Sequence, residues 1–303
     1  MDRHAFLIMA HNEPEVLATL LRQTDADGFD VYLHIDTKAR ELQQRFAHYA
    51  PHHGRFFLLP HPLDIRWGDI SQVDAEMLLL RTAAANGPYA YYHILSGTDL
   101  LLKSPEALRE AFAAHPEQEY VNYWSSPSHL RDLRRKTSRY YLFTQHIKDK
   151  GSPTHAALSL VRNVVLATQK ITRFRRSTPK GIEFRKGGNW ASITEAFAQY
   201  LLQHEPRFRS RLKYTLCPDE IYKQTLLWSS PLQSHAHDAH SEEAEPSTLR
   251  KIDWMRGSPY TWQSQDYEEL TSSTAVFARK FSSQYIDLVQ RIEQHTCTRK
   301  DND

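Results

Sequence analysis

The sequence predicts an α/β chain with a mostly parallel central sheet and helices on both faces, on two observations. Short continuous apolar runs recur through residues 1–125, as in AFLIMA and YAYYHIL, which is how strands buried on both faces read. Between them lie stretches whose apolar residues repeat at helical spacing, so strand and helix alternate at the pace of βαβ units.

In order, AFLIMA (5–10) is the first strand. EPEVLATLLRQT follows as a helix, with Val16, Leu17, Leu20 and Leu21 on one face and Asn12 as its cap. DVYLHI (30–35) is the second strand, ARELQQRFAHY the second helix and RFFLL (55–59) the third strand. SQVDAEMLLLRTAAANG (71–87) reads as a long helix capped by Ser71 and stopped by Gly87. YAYYHIL (89–95) is a fourth strand, SPEALREAFAAH (104–115) a capped helix, and EYVNYW (119–124) a fifth strand. Residues 126–186 are polar and basic with one amphipathic stretch, THAALSLVRNVVLATQKI, and read as an insertion on the acceptor side. After Gly187-Gly188 come a helix (193–204), a short strand into Cys217, a helix from Pro218, and a mobile loop at 229–247. LRKIDW is extended, VFARKF a strand or turn, and a helix ends the chain. This gives one domain in three parts: 1–125, 126–186 and 187–303.

Composition bounds the function. A chain two-fifths hydrophobic and one quarter charged forms a packed core, and a net charge of +2 drives it onto neither nucleic acid nor membrane. Two cysteines build no disulfide framework, and no run approaches a membrane span, so a cytoplasmic protein is expected.

Three loops follow strands: His11-Asn12, Asp36-Thr37-Lys38, and Ser96-Gly97-Thr98-Asp99. A parallel sheet gathers all three on one edge, where ligands bind in such folds. A carboxylate there can accept from ribose hydroxyls or a pyrimidine N–H, though a helix cap or turn aspartate is the plainer alternative. Pro218-Asp219-Glu220 opens a helix whose dipole favours the Glu220 anion, a candidate general base or simply an acidic first turn. Arg250-Lys251 and Arg279-Lys280 stand beside apolar segments and can neutralise a diphosphate, or be solvated pairs.

Asp25-Ala26-Asp27 has the D-x-D form that can hold a divalent metal, but it lies in a turn at the opposite edge of the sheet. His235, His237, Asp238 and His240 sit in the loop with no apolar surround, so no metal site is expected there. Dehydrogenase, P-loop, hydrolase-elbow and zincin motifs are missing.

LIMAHNEPEVLATLL, VYLHIDTKA, IRWGDISQVDAEMLLL, YYHILSGTDLLLKS, GGNWASIT, CPDEIYKQTLL and LRKIDW…VFARKF run in the order of the core-2/I-branching enzymes. The chain therefore resembles that family, glycosyltransferase family 14, which includes the peptide O-xylosyltransferases. The resemblance implies a GT-A fold, a UDP-sugar donor carrying GlcNAc or xylose, and inversion at the anomeric carbon. It implies that Ala10, His11 and Asp36 hold the uridine and that Glu220 is the base. An arginine and a lysine, here Arg250 and Lys280, would replace a metal at the diphosphate. Trp67, Asp99, Asn189, Trp190 and Asp219 would border the sugar and acceptor pocket. No cofactor or divalent metal is expected, and the acceptor would be a carbohydrate or glycoconjugate. The animal members have a membrane anchor and several disulfides; this chain resembles the compact bacterial members, which act mostly on surface polysaccharides.

No nucleic-acid partner and at most peripheral membrane contact are expected. The rival reading is a nucleic-acid-binding or non-catalytic sugar-binding protein that uses the basic, aromatic residues 131–186. A sugar-nucleotide hydrolase is a further alternative.

Overall fold

The computed structural model describes residues 3–148 and 153–297. In chain order the main elements are β1 (His4–Ala10), α1 (Pro14–Gln23), β2 (Phe29–Ile35), α2 (Arg40–Phe46), β3 (Arg55–Leu58), α3 (Ser71–Ala84), β4 (Tyr91–Ser96) and β5 (Leu100–Leu101). Then follow α4 (Pro105–Ala113), α5 (Pro127–Ser138), α6 (Pro153–Ile171), β6 (Ser192–Thr194), α7 (Glu195–Leu212) and α8 (Tyr222–Trp228). The chain closes with α9 (Ala244–Thr248), β7 (Arg250–Ile252), α10 (Tyr267–Thr271), β8 (Phe277–Arg279) and α11 (Ile286–Cys297).

The main sheet has the order β3-β2-β1-β4-β6, parallel except for β6, which runs antiparallel to β4. Because side chains alternate along a strand, Phe6 and Ile8 of β1 pack on one face with α1 and α11, while Ala5 and Leu7 pack on the other with α3, α7 and α8. The apolar strand runs are explained by this double cover. A small second sheet, β5-β8-β7, carries the C-terminal segment back beside the end of β4. Among the described residues no helix is long and apolar enough to cross a membrane.

Local departures from the sequence reading have identifiable causes. Asn12 does not cap α1. Glu13 takes that position with φ of 54°, its carboxylate accepting from the Ser283 N–H and the Ser282 hydroxyl. Ser71 does not cap α3, because its hydroxyl accepts from the Arg66 N–H and Ile70 holds the cap position. Ser104 does cap α4, accepting from Ala107 N–H. Residues 119–124 form only isolated bridges, Glu119 to Ala236 and Tyr120 to Ser192. No strand leads into Cys217, whose N–H donates to Gly68 O at 2.9 Å from a left-handed conformation. The segment from 193 yields first to β6, and α7 then runs on to Leu212.

Residues 229–247 are more structured than a mobile loop. Glu119 donates its N–H to His235 O at 2.8 Å and accepts from His237 N–H at 2.9 Å, and the Asn122 amide donates to Ser247 Oγ at 2.8 Å. His235 and His237 pair with Glu117 O and Gln118 Oε1. Asp25 accepts from the N–H groups of His52, His53 and Gly54, a turn tie that accounts for the acidic pair.

Candidate active site

β1, β2 and β4 end on the same edge, so the three loops that follow them meet as the parallel pairing requires. Gly97 is needed for this closeness: a Cβ there would lie 2.8 Å from the Cβ of Ala10. The loops form one wall of a cavity of about 650 Å³, a volume suited to a small-molecule substrate. Ala10, His11, Asp36, Trp67, Asn189, Trp190, Asp219, Glu220 and Lys280 all line it. Nine of the eleven residues singled out from sequence are thus brought together.

Asp36 is buried and already accepts from Lys38 N–H at 2.8 Å, Lys38 Nζ at 2.9 Å and Ile65 N–H at 3.0 Å. A carboxylate has about four acceptor positions, so one remains for a ligand donor. Beside it, burial holds the His11 imidazole below its ordinary value, with Asp36 pulling the other way and Lys280 adding to the depression.

Across the cavity, Glu220 lies in the turn Pro218–Glu220 that precedes α8. Its Oε2 is 3.1 Å from Lys136 Nζ on α5 and 3.2 Å from Lys186 Nζ. Both lysines also meet Asp132, at 3.1 Å and 2.7 Å. Glu220 Oε1 has no hydrogen-bond partner among the described residues. Gly187 donates its N–H to Glu220 O at 2.9 Å and packs so closely on Asn122 that a Cβ would fall 1.8 Å from its carbonyl oxygen. That contact fixes the backbone between Lys186 and Asn189.

Asp219 is buried on the cavity wall, and its Oδ1 has no hydrogen-bond partner among the described residues. Burial, then the charges of Glu220 and Glu76, push its carboxyl up to about 7. A ligand hydroxyl would satisfy the orphaned oxygen. Asn189 is oriented by Lys223 Nζ, which donates to its Oδ1 at 2.7 Å and to Glu76 at 2.5 Å. Trp67 and Trp190, with Trp124 and Trp254, give the cavity flat apolar faces against which a sugar ring can pack.

Two expected residues are absent from the wall. Arg250 is in the core. Its guanidinium donates to Thr248 O, Ala191 O, Ile94 O and Ser192 Oγ at 2.7–3.3 Å, and it lies over Phe277. It braces β7 against β4 and β6 and presents no charge to the cavity. Asp99 is also buried, accepting from the Ser96 N–H at 3.0 Å and hydroxyl at 2.6 Å, one layer behind the wall.

The cation beside Lys280 in the cavity is Arg279. Its guanidinium packs over Trp190 at 4.2 Å, and its Nε lies 3.5 Å from Asp99 Oδ1 without a hydrogen bond. Burial lowers its pKa, opposed by Asp99. Lys280 has no ion pair among the described residues. An anion entering the cavity would meet both charges. The Arg279-Lys280 dipeptide was visible in the sequence, whereas the lysines around Glu220 carried no local signal.

A sequence model of the Core-2/I-Branching enzyme family matches residues 4–277. Xylosyltransferase 2 of Rattus norvegicus is 24% identical over 301 residues, covering 93% of this chain and 32% of that protein. Xylosyltransferase 2 of Homo sapiens is 23% identical over the same length, with the same shares covered. The chain therefore spans about one third of the length of these curated relatives. A crystal structure of mouse Xyloside xylosyltransferase 1 in its apo form superposes with a TM-score of 0.40 and 10% identity, over 92% of this chain and 97% of that one.

Proposed function

The chain belongs to the Core-2/I-Branching enzyme family, and from that premise we propose that it is an inverting glycosyltransferase. It would move GlcNAc or xylose from a UDP-sugar to the hydroxyl of a carbohydrate or glycoconjugate, without a metal. The observation that carries this reading is that Glu220, Asp36 and the Arg279-Lys280 pair, scattered along the chain, share one cavity.

In this reading the uridine sits against Ala10, His11 and Asp36, and the diphosphate against Arg279 and Lys280. Glu220 removes the proton from the acceptor hydroxyl as that oxygen bonds to the anomeric carbon. The bond from that carbon to the phosphate oxygen breaks, and UDP leaves with the electron pair. Charge grows on the departing diphosphate, where fixed cations in a secluded site stabilise the transition state most. Arg279 takes the part that sequence reasoning gave to Arg250, because only Arg279 has its charge in the cavity. Metal independence is supported by those two cations and by Asp99, whose oxygens are engaged with Ser96. The setting favoured from the resemblance is a bacterial surface polysaccharide or glycoconjugate.

The test is a thermal-shift screen against UDP-, GDP- and CMP-sugars, followed by product analysis with carbohydrate acceptors. A ligand at 100 times its Kd adds about 2.7 kcal/mol of stability. Stabilisation by UDP-sugars and acceptor-dependent UDP release are expected. Donor breakdown that no acceptor accelerates would make the protein a hydrolase instead, and no response to any nucleotide sugar would end the proposal.

A further inference from the structure

Outside the active site, the most unusual surface is that of α6. Nineteen residues long, it buries only Gln169. Its inward side holds the protein through polar contacts. Gln169 Oε1 accepts from Tyr140 N–H at 2.8 Å, its amide donates to Tyr140 O at 3.1 Å, and His155 pairs with His146 O at 2.7 Å. The outward side is aliphatic. Leu160 is 66% exposed, Val161 46%, Val164 55% and Ile171 81%, with Phe174 beyond the helix at 48%. A packed monomer ordinarily turns such a stripe inward.

The surroundings of the stripe are cationic. No acidic residue occurs from 153 to 182, while Arg162, Lys170, Arg173, Arg175 and Lys180 do, and Arg176 is buried. At the C-terminal end of α6 the surface opens into a cavity of about 830 Å³ between α5, α6 and residues 173–185, where Glu183 is the one acidic residue on the wall. Arg131, Arg134, Arg139, Lys170, Arg173 and Arg175 line it, and none forms an ion pair among the described residues.

We propose that α6 and the basic segment after it form a membrane-surface docking site, in which the aliphatic stripe enters the interface of a bilayer and the arginines and lysines take anionic lipid headgroups. An apolar face bordered by Lys and Arg, with no acid, has the composition of helices that lie in a bilayer interface. A second copy of the same face would bring like charges together. Nucleic acid would use the cations but has no need of an exposed leucine, valine and isoleucine row. Residues 171–187 run directly into Gly188–Trp190 of the candidate active-site cavity, and α5 supplies Lys136 to Glu220, so, on the proposed function, docking would hold the active site close to acceptors carried on lipid.

The test is cosedimentation of the full chain with phosphatidylcholine vesicles and with vesicles that also contain phosphatidylglycerol. Pelleting is expected only with the anionic vesicles and should weaken as salt rises. Leu160→Ser with Val164→Ser, and separately Arg173→Ala with Arg175→Ala, should each lower partitioning by about tenfold or more. Both pairs are exposed, and unchanged circular dichroism and thermal midpoints would show that the variants fold. Three results would overturn the proposal: no pelleting with anionic vesicles, pelleting indifferent to the Leu160/Val164 pair, or a solution dimer that this pair converts to monomer. Equal competition by inorganic phosphate would assign the cations to free anions and overturn it as well.

Discussion

Lys136 Nζ on α5 lies 3.1 Å from Glu220 Oε2, although 84 positions separate the two residues. The basic segment is therefore part of the candidate active site. It supplies both ammonium groups that hold the proposed base, Lys136 and Lys186. Both lysines are almost fully buried. Burial works against the Lys136 charge, but Glu220 and Asp132 together hold its pKa above the ordinary value. With Oε2 held in this way, Oε1 carries no hydrogen bond among the described residues, and Glu220 lines the cavity.

Glu220→Gln should abolish transfer and preserve donor binding. The amide keeps the shape of the side chain but cannot take a proton, and removing a general base typically slows a reaction by about 10²–10⁴-fold. Thermal shift with UDP reports binding, and product formation reports transfer. A Gln variant with near wild-type turnover would dismiss Glu220 as the base.

Arg279→Ala and Lys280→Ala should weaken UDP binding and reduce kcat by about 10²–10³-fold, since each removes a preorganised partner for the departing diphosphate. Arg250→Met should do the reverse. It removes the guanidinium from which the Thr248, Ala191 and Ile94 carbonyls accept, Ala191 O keeping only the Ile94 N–H, so the thermal midpoint falls while the UDP-induced shift of the folded protein persists. If Arg250→Met alone lost UDP binding, the exchange of roles between the two arginines would be wrong.

That exchange marks the limit of what the sequence made legible. Both arginines stand in short apolar segments before or beside a lysine, and nothing local separates them. The distinction comes from pairing: Arg250 aligns with Phe277 at the end of the small sheet that is buried in the core, while Arg279 aligns with Ile252 at the opposite end, where both residues line the cavity. Asp99 was misplaced for a similar reason, because its turn closes back on Ser96. β1, β2 and β4 were legible because burial on both faces leaves a mostly apolar run, and the three loop positions followed from parallel pairing alone. Residues 229–247 looked mobile because their order comes from Glu119 and Asn122, more than a hundred positions away.

Chelation should leave transfer intact. The proposed charge partners for the diphosphate are side chains, and EDTA removes neither. Initial rates measured with and without EDTA, and after addition of Mn²⁺, decide this. A rate lost to EDTA and restored by Mn²⁺ would assign the diphosphate to a metal and reduce Arg279 and Lys280 to a supporting role.

Asp219 predicts a pH dependence of stability. Burial first, then Glu220 and Glu76, raise its carboxyl from an ordinary 3.8 to about 7 in the folded protein. Below the ordinary value both states hold the proton, and Asp219 has no effect on folding. Between the two values the folded state keeps a proton that the unfolded chain releases, so rising pH favours unfolding until the folded group has also ionised. The cost is then constant above about pH 7. Asp219→Asn cannot titrate and should escape it. Its thermal midpoint, measured relative to that of the wild type, should therefore rise between about pH 4 and about pH 8. Parallel midpoint curves across that range would mean that Asp219 ionises in the folded protein as readily as in the unfolded chain. The orphaned Oδ1 would then already have a partner, and the reading that a ligand hydroxyl satisfies it would fail.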